Sequence, residues 1–305
     1  METDFDTDKI RNEIKDTETI TAVGDLVSKV NSLFLQEPNF QELPSDKPII
    51  FVGDLHGDIE NAVRIVRKYS KDHRIVFLGD YIDRSTEYLG SLKNISYLLK
   101  KKIENPKEII MLRGNHEFDQ IYNMYGFGDE LREIDHAFSK DFLWKFTLLF
   151  PNMPYIVTTD NGIIGLHGGI PNVESVEEIK NLPKGVTDYN QHPIISQIVW
   201  NDNIGDCDNF FDNKGYTYSN RGLSLNLGIL YGEPYFSEKM SLLGKKVLVR
   251  GHNQNLKGYS LNNKVLTVFS SRRYTNYGNL KGAYVAILDP QKEINNALDL
   301  KIEFL

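Results

Sequence analysis

Five short clusters of carboxylate, imidazole and amide side chains punctuate this chain, each beside glycine. They are Gly53-Asp54-Leu55-His56-Gly57, Gly79-Asp80-Tyr81-Ile82-Asp83-Arg84, Arg113-Gly114-Asn115-His116-Glu117, Leu166-His167-Gly168-Gly169 and Arg250-Gly251-His252. Singly, each is unremarkable: an aspartate after a strand is usually a helix cap, and a lone histidine is usually a satisfied core or surface group. Five in succession are hard to account for that way. Asp54, His56, Asp80, Asn115, His167 and His252 form a donor set of oxygen and imidazole without thiolate, which suits manganese, iron or zinc rather than a structural thiolate site. Six donors are too many for one tetrahedral ion but fit two ions that share a carboxylate. Asp80, in the middle strand's cluster, is the expected bridge. Two such ions can activate a bridging water and hold the oxygens of an in-line displacement at phosphorus. The neighbouring glycines allow close approach to the backbone.

The elements that must position these clusters are legible as apolar runs. Residues 49–52, 74–78 and 108–112 each lead directly into one of the first three clusters, and short apolar runs bounded by glycine or charge read as buried strands. Helical periodicity fills 61–69 and 88–101. The alternation predicts a parallel βαβαβ core, whose ligands gather at the carboxyl ends of the strands. Further strand-like runs at 155–159, 162–166, 246–249, 265–270 and 283–288 are separated by asparagine, glycine and aspartate, which predicts a more antiparallel, hairpin-rich second half. A final strand is expected within 300–305. Residues 1–45 read as polar and helical, with Ile20, Val23, Leu26, Val27, Val30 and Phe34 at near-helical spacing. The expected organisation is this helical segment packed on a single catalytic domain, 46–305.

Composition excludes several classes. With 305 residues, 40% hydrophobic and 25% charged, the chain is an ordinary globular one. A net charge of −7, from 35 basic and 42 acidic residues, argues against a nucleic-acid partner. No run approaches the about 18 apolar residues that a membrane span needs, and the acidic N-terminus lacks the apolar core of a signal peptide. The expected compartment is the cytoplasm, with the nucleus also open to it. The lone cysteine, Cys207, has no arginine at Cys-x5-Arg spacing, so thiol-based phosphate chemistry is set aside.

Gly-Asp-x-His-Gly, Gly-Asp-x-x-Asp-Arg and Gly-Asn-His-Glu, followed by His-Gly-Gly and Arg-Gly-His, resemble the PPP family of serine/threonine protein phosphatases. Tyr125-Gly126-Phe127, Leu143-Trp144 onward to Phe150, Val199-Trp200-Asn201-Asp202 and Asn220-Arg221-Gly222-Leu223-Ser224 extend the resemblance over most of the chain. It implies the α/β fold of the calcineurin-like metallophosphoesterases, two packed mixed β-sheets flanked by helices. It also implies roles. Asp54, His56 and Asp80 would bind one divalent ion; Asp80, Asn115, His167 and His252 would bind a second, the pair being manganese or iron with zinc. His116 would protonate the leaving serine or threonine oxygen, oriented by Asp83, while Arg84, Arg221 and Tyr274 would grip the phosphate. A proton donor beside a poor alkoxide leaving group is worth roughly 10²- to 10⁴-fold, and a carboxylate next to a histidine helps it keep that proton near neutral pH. Arg113 could touch phosphate or lock its loop through buried hydrogen bonds. Expected partners are phosphoprotein substrates and regulatory or docking subunits, with no nucleic acid and no membrane.

One stretch departs from the family pattern. Where Ser-Ala-Pro-Asn-Tyr is usual, this chain has Ser270-Ser271-Arg272-Arg273-Tyr274, which keeps the tyrosine, removes a proline and adds two positive charges to the expected rim. Those charges predict a preference for acidic residues flanking the phosphorylated one, and the following 275–279 segment predicts altered sensitivity to natural toxins. Ser85 stands where glycine usually follows Arg84, a small change. Two rivals remain: a hydrolase of the same fold acting on dinucleoside polyphosphates or small phosphate esters, and a catalytically silent phosphoprotein-binding relative. The Val199-Trp200 and Asn220-Arg221-Gly222 signatures weigh against the first, and the intact donor set weighs against the second.

Overall fold

The computed structural model describes residues 17–138, 141–204, 215–219 and 228–305; Cys207, Arg221 and the rest of the 220–224 signature lie outside them. In chain order the helix α1 (Thr17–Gln36) precedes β1 (Phe40–Leu43), β2 (Ile49–Val52), α2 (Ile59–Tyr69), β3 (Arg74–Phe77), α3 (Gly90–Glu104) and β4 (Ile109–Met111). Helices α4 (Asp119–Tyr125), α5 (Phe127–Phe138) and α6 (Phe142–Leu149) follow, then β5 (Ile156–Thr159) and β6 (Ile163–Gly165). Next come α7 (Val176–Lys180), α8 (Pro193–Trp200), β7 (Asp202–Asn203), β8 (Tyr216–Tyr218), β9 (Ile229–Tyr231) and α9 (Glu233–Leu242). The chain closes with β10 (Val247–Arg250), β11 (Gly258–Ser260), β12 (Val265–Thr267), β13 (Tyr284–Leu288) and β14 (Lys301–Phe304).

Two mixed sheets carry the fold. One has the order β14-β13-β2-β3-β4 and the other β1-β5-β6-β10-β12-β11, with a small third sheet of β7, β9 and β8. The central strands β2 and β4 are apolar throughout because both of their faces are covered, and β3 departs only at its first residue, Arg74, which bonds the Pro44 carbonyl and Asp46. Ile50, Val52, Ile75, Phe77, Ile109 and Met111 pack with the buried faces of α1, α2 and α3. Their sequence neighbours Ile49, Phe51, Val76 and Ile110 meet Val157, Ile163, Val247, Val249 and Leu266 between the sheets. On the far side Ile156, Ile164 and Leu248 pack against α8 and α9. The period-2 alternation therefore divides each strand between a helical layer and the inter-sheet core.

The parallel β2-β3-β4 unit stands as expected from the apolar runs. The second half differs. Hairpin pairing is present in β5-β6, β11-β12 and β13-β14, but β6, β10 and β12 run parallel to one another. Asparagine and glycine mark where the chain turns, not which strand it returns to, and here helices intervene before the return. Within 17–45, α1 buries Ile20, Val23, Val27, Val30 and Phe34 against α3 and α6. The four residues of β1, read as helical, instead pair in parallel with β5.

The two sheets converge where β2 ends. Asp54 forms an isolated parallel bridge with Phe269, and a side chain at Gly53 would bring a Cβ within 1.8 Å of the Val268 carbonyl oxygen. Because the obstacle is backbone, it cannot rotate away. Gly53→Ala is expected to destabilise the protein by about 3 kcal/mol, the upper end of typical overpacking costs; a urea midpoint equal to that of the wild type would refute this.

Candidate active site

Three loops leave the carboxyl ends of β2, β3 and β4, and their functional side chains meet in one buried cluster. Asp80 is common to two groups of potential ligands, His56-Asp80-His116 and Asp54-Asp80-His167, each with its donor atoms within 4.8 Å of one another. His56 Nε2 lies 3.6 Å from Asp80 Oδ2 and 3.8 Å from Asp54 Oδ2. His167 Nε2 lies 3.3 Å from Asp80 Oδ1 and 2.8 Å from Asn115 Oδ1, and His252 Nδ1 is 2.9 Å from that same amide oxygen. All six expected donors are therefore adjacent and buried. The His56 and His167 Nδ1 atoms donate to the Ile82 and Leu78 carbonyls at 2.8 and 3.1 Å. This fixes both tautomers with Nε2 lone pairs facing the cluster, as metal-ligating imidazoles require.

Backbone shape supports the convergence. Positive φ angles occur at His56, Asp80, Asp83, Arg84 and His252, between 46° and 71°, a region non-glycine residues enter rarely and mostly at functional sites. Gly251 has to lack a side chain, since a Cβ would fall 2.2 Å from Asp54 Oδ1.

Electrostatics show what the cluster lacks. Burial, reinforced by the charge of Asp80, pushes the Asp54 carboxyl up to about 7. Burial acts on Asp80 in the same sense, but His167 and His116 overcome it and hold that carboxyl well below its ordinary range. Burial and the nearby His116 and Arg84 depress His56. Asp54 Oδ2, fully buried, has no hydrogen-bond partner among the described residues. Two adjacent buried carboxylates driven apart in this way, with an orphaned oxygen and preset imidazole lone pairs, call for positive charge, which divalent cations supply. The donor set fits such ions.

Beside the cluster, His116 Nδ1 sits 2.6 Å from Asp83 Oδ2, and the other Asp83 oxygen accepts the Phe127 N–H at 2.9 Å. Burial raises the Asp83 carboxyl to about 8; the Phe127 N–H opposes that shift and the Asp80 charge adds to it. Arg84 donates to His116 Nε2 at 3.1 Å and to the Tyr274 hydroxyl at 3.1 Å.

Comparison with known proteins settles the family. Residues 47–260 match the calcineurin-like phosphoesterases. The chain belongs to this family. It is also 30% identical, over 263 residues, to a protein phosphatase 2A catalytic subunit of Dictyostelium discoideum, covering 84% of this chain and 78% of that one. A serine/threonine phosphatase from Saccharomyces cerevisiae with similarity to human phosphatase PP5 superimposes with a TM-score of 0.75 at 24% identity, covering 93% of this chain and 88% of that one. A cold-active protein-tyrosine phosphatase of a psychrophilic Shewanella species gives a TM-score of 0.53 at 14% identity, covering 89% and 83%. These two structural likenesses concern the fold alone.

Several residues of this calcineurin-like phosphoesterase matter to the site although their spacing assigns them no role. Glu117, wholly buried, accepts the backbone N–H groups of Asp80, Tyr81 and Gly114, each at 2.9 Å, and so ties two ligand loops together. The sequence carries no capping-box signature here, because Gly114 has no side chain to complete one. Tyr125 places its ring 5.1 Å from His116 and 5.3 Å from the Arg84 guanidinium, while its carbonyl accepts the Arg84 N–H at 3.2 Å. Behind His252, Asp202 accepts from Arg250 at 2.8 Å and Asn253 at 2.9 Å, and the Trp200 ring meets His252 edge-on at 5.3 Å. Arg113 resolves to a structural part: it donates to the Glu117 and Val186 carbonyls and the Tyr155 hydroxyl and stacks 3.4 Å from the Phe118 ring centre.

The Ser270–Tyr274 departure separates into distinct parts. Ser270 is a buried strut that accepts from Gly53 N and donates to the Tyr284 carbonyl. Arg272 is engaged by Asp58 and Glu60, whereas Arg273 is exposed and makes no ion pair among the described residues. Glu117→Gln would set an amide N–H₂ against backbone donors. It should lower stability by about 1–3 kcal/mol, the cost of a buried group left unsatisfied, and reduce turnover with it. Unchanged melting temperature and activity would show that Glu117 does not organise the loops.

Proposed function

We propose that this chain is a serine/threonine protein phosphatase that hydrolyses phosphoserine and phosphothreonine monoesters. The observation that carries the reading is the carboxylate-supported histidine, His116 on Asp83, standing against a buried donor cluster centred on Asp80. The relationship to a protein phosphatase 2A catalytic subunit supports the phosphoprotein as substrate.

In this reading Asp54, His56 and Asp80 hold one divalent ion, and Asp80, Asn115, His167 and His252 hold the other, with manganese, or iron and zinc, suited to such donors. Bound there, the ions supply Lewis acidity at the phosphoryl oxygens and make a water nucleophilic near neutral pH. The remaining steps belong to the chain. Arg84, held in place through Tyr125 and the Tyr274 hydroxyl, offers a planar fork of donors that matches phosphoryl oxygens; the family resemblance gives Arg221 the same part. Engaging the phosphate draws the Arg84 guanidinium away from His116 Nε2. A proton taken up there from solvent makes an imidazolium, and that new positive charge favours the ionised form of Asp83 across the Nδ1 contact. His116 then delivers the Nε2 proton to the departing serine or threonine oxygen. Regulatory or docking subunits would govern which phosphoproteins reach this site.

His116→Asn keeps a polar side chain of similar reach but cannot transfer the proton. Its kcat on a phosphoserine peptide is expected to fall about 10²- to 10⁴-fold, as loss of a general acid does. A kcat within a factor of about two of wild type would remove His116 from that role, since general acids contribute far more. The substrate class is checked by comparing turnover of the phosphopeptide with that of a dinucleoside tetraphosphate. Preference for the dinucleotide would favour the rival esterase.

A further inference from the structure

A cleft of about 300 Å³ is lined by His56, a member of the donor cluster, by Ser85 and Glu87, and by Asp58, Arg272 and Arg273. A peptide whose phosphate reached the cluster would lay its neighbouring residue in this cleft. The two arginines do not present themselves alike. Arg272 donates its backbone N–H to Asp58 Oδ2 at 2.9 Å and its Nε and Nη2 to the same carboxylate at 2.9–3.2 Å, and it also bonds Glu60. Asp58 meanwhile caps α2 through the Asn61 N–H. Arg272 thus pins the loop to the start of a helix, and its charge is balanced there.

Arg273 lines the cleft and is exposed, on a loop that is anchored on both sides. The Lys257 Nζ, buried beneath the loop, donates to the Tyr274 and Gly282 carbonyls at 2.6 and 2.7 Å, and Asn61 holds the Ser270 carbonyl at 2.7 Å. Its next neighbour, Tyr274, touches Arg84. A cation carried on an anchored loop, lining the same cleft as the acidic Glu87, discriminates by charge more than it adds affinity.

We propose that Arg273 is a specificity-determining residue that selects phosphopeptides carrying one acidic side chain immediately beside the phosphorylated residue. The inference rests on the protein-phosphatase reading above. Glu87, which lines the same cleft, sharpens it: an acid placed near Arg273 is favoured, and one placed near Glu87 is not. The preference is for one placed acid, not for an acidic run.

The test uses phosphoserine peptides that differ only in carrying Asp or Gln at the preceding or the following position. For the wild-type chain, Asp at one of the two positions should raise kcat/KM about 2- to 5-fold over Gln, the range that a partly exposed charge pair supplies. Rising salt should shrink the gain. R273Q should erase it and R273E should reverse it, with Lys then favoured at that position. R272Q should lower the melting temperature while keeping the Asp-to-Gln ratio. A wild-type ratio retained in R273Q, or no difference between Asp and Gln at either position in the wild type, overturns the proposal while the phosphatase reading stands. Failure of the wild type to turn over any of the peptides while it cleaves another phosphate ester defeats that reading, and this inference with it.

Discussion

Everything in the site hangs on how Asp80 is held. Its carbonyl accepts the Leu55 and His56 N–H groups at 3.1 and 3.0 Å, its own N–H goes to Glu117, and its Oδ1 accepts the His116 N–H at 3.0 Å. One residue at the end of β3 therefore joins the loops that follow β2 and β4. The arrangement needs a φ of +56° at a non-glycine residue, a strain that persists only where surrounding contacts over-determine it. Those contacts are buried hydrogen bonds, strongest where water is excluded. The donor cluster, the His116–Asp83 pair and the Arg84 fork all lie within one bond or contact of this knot.

The rest of the fold makes that knot sustainable. Strands covered on both faces hold the loop bases rigid, and the approach of the two sheets at Gly53 and Asp54 brings the second sheet's His167 and His252 to the first sheet's loops. Partners behind the candidate ligands then set the posture of the three histidines. Leu78 and Ile82 carbonyls choose the tautomers of His167 and His56, and Asp202 with Arg250 braces the segment that carries His252. Such outer partners shape affinity and chemistry as much as the ligands do.

Much of this was legible in the sequence. The runs 49–52, 74–78 and 108–112 read as strands because burial on both faces leaves them apolar apart from Arg74 and Glu108 at their starts, and the five clusters stood out by residue type and spacing. What stayed hidden depends on pairing in three dimensions. The parallel return of β10 beside β6 follows a helical excursion that turn residues do not encode. The short β1, Phe-Gln-Glu-Leu, is too brief for its periodicity to distinguish strand from helix. Glu117 and Asp202 act through backbone groups and neighbours that spacing alone cannot name. Arg272 and Arg273, adjacent and chemically identical, part company only because Asp58 and Glu60 lie under one of them.

The most direct test of the central claim is a titration of phosphoserine-peptide turnover against added divalent metal, run on chelator-treated wild type and on Asp80→Asn. If Asp80 joins two metal sites in a protein phosphatase, activity is absent after chelation and returns with about two ions per chain, as a two-metal centre requires. Asp80→Asn should then stay inactive at every metal concentration. Full turnover of the chelated wild type, or restoration of Asp80→Asn to wild-type rates, would contradict it.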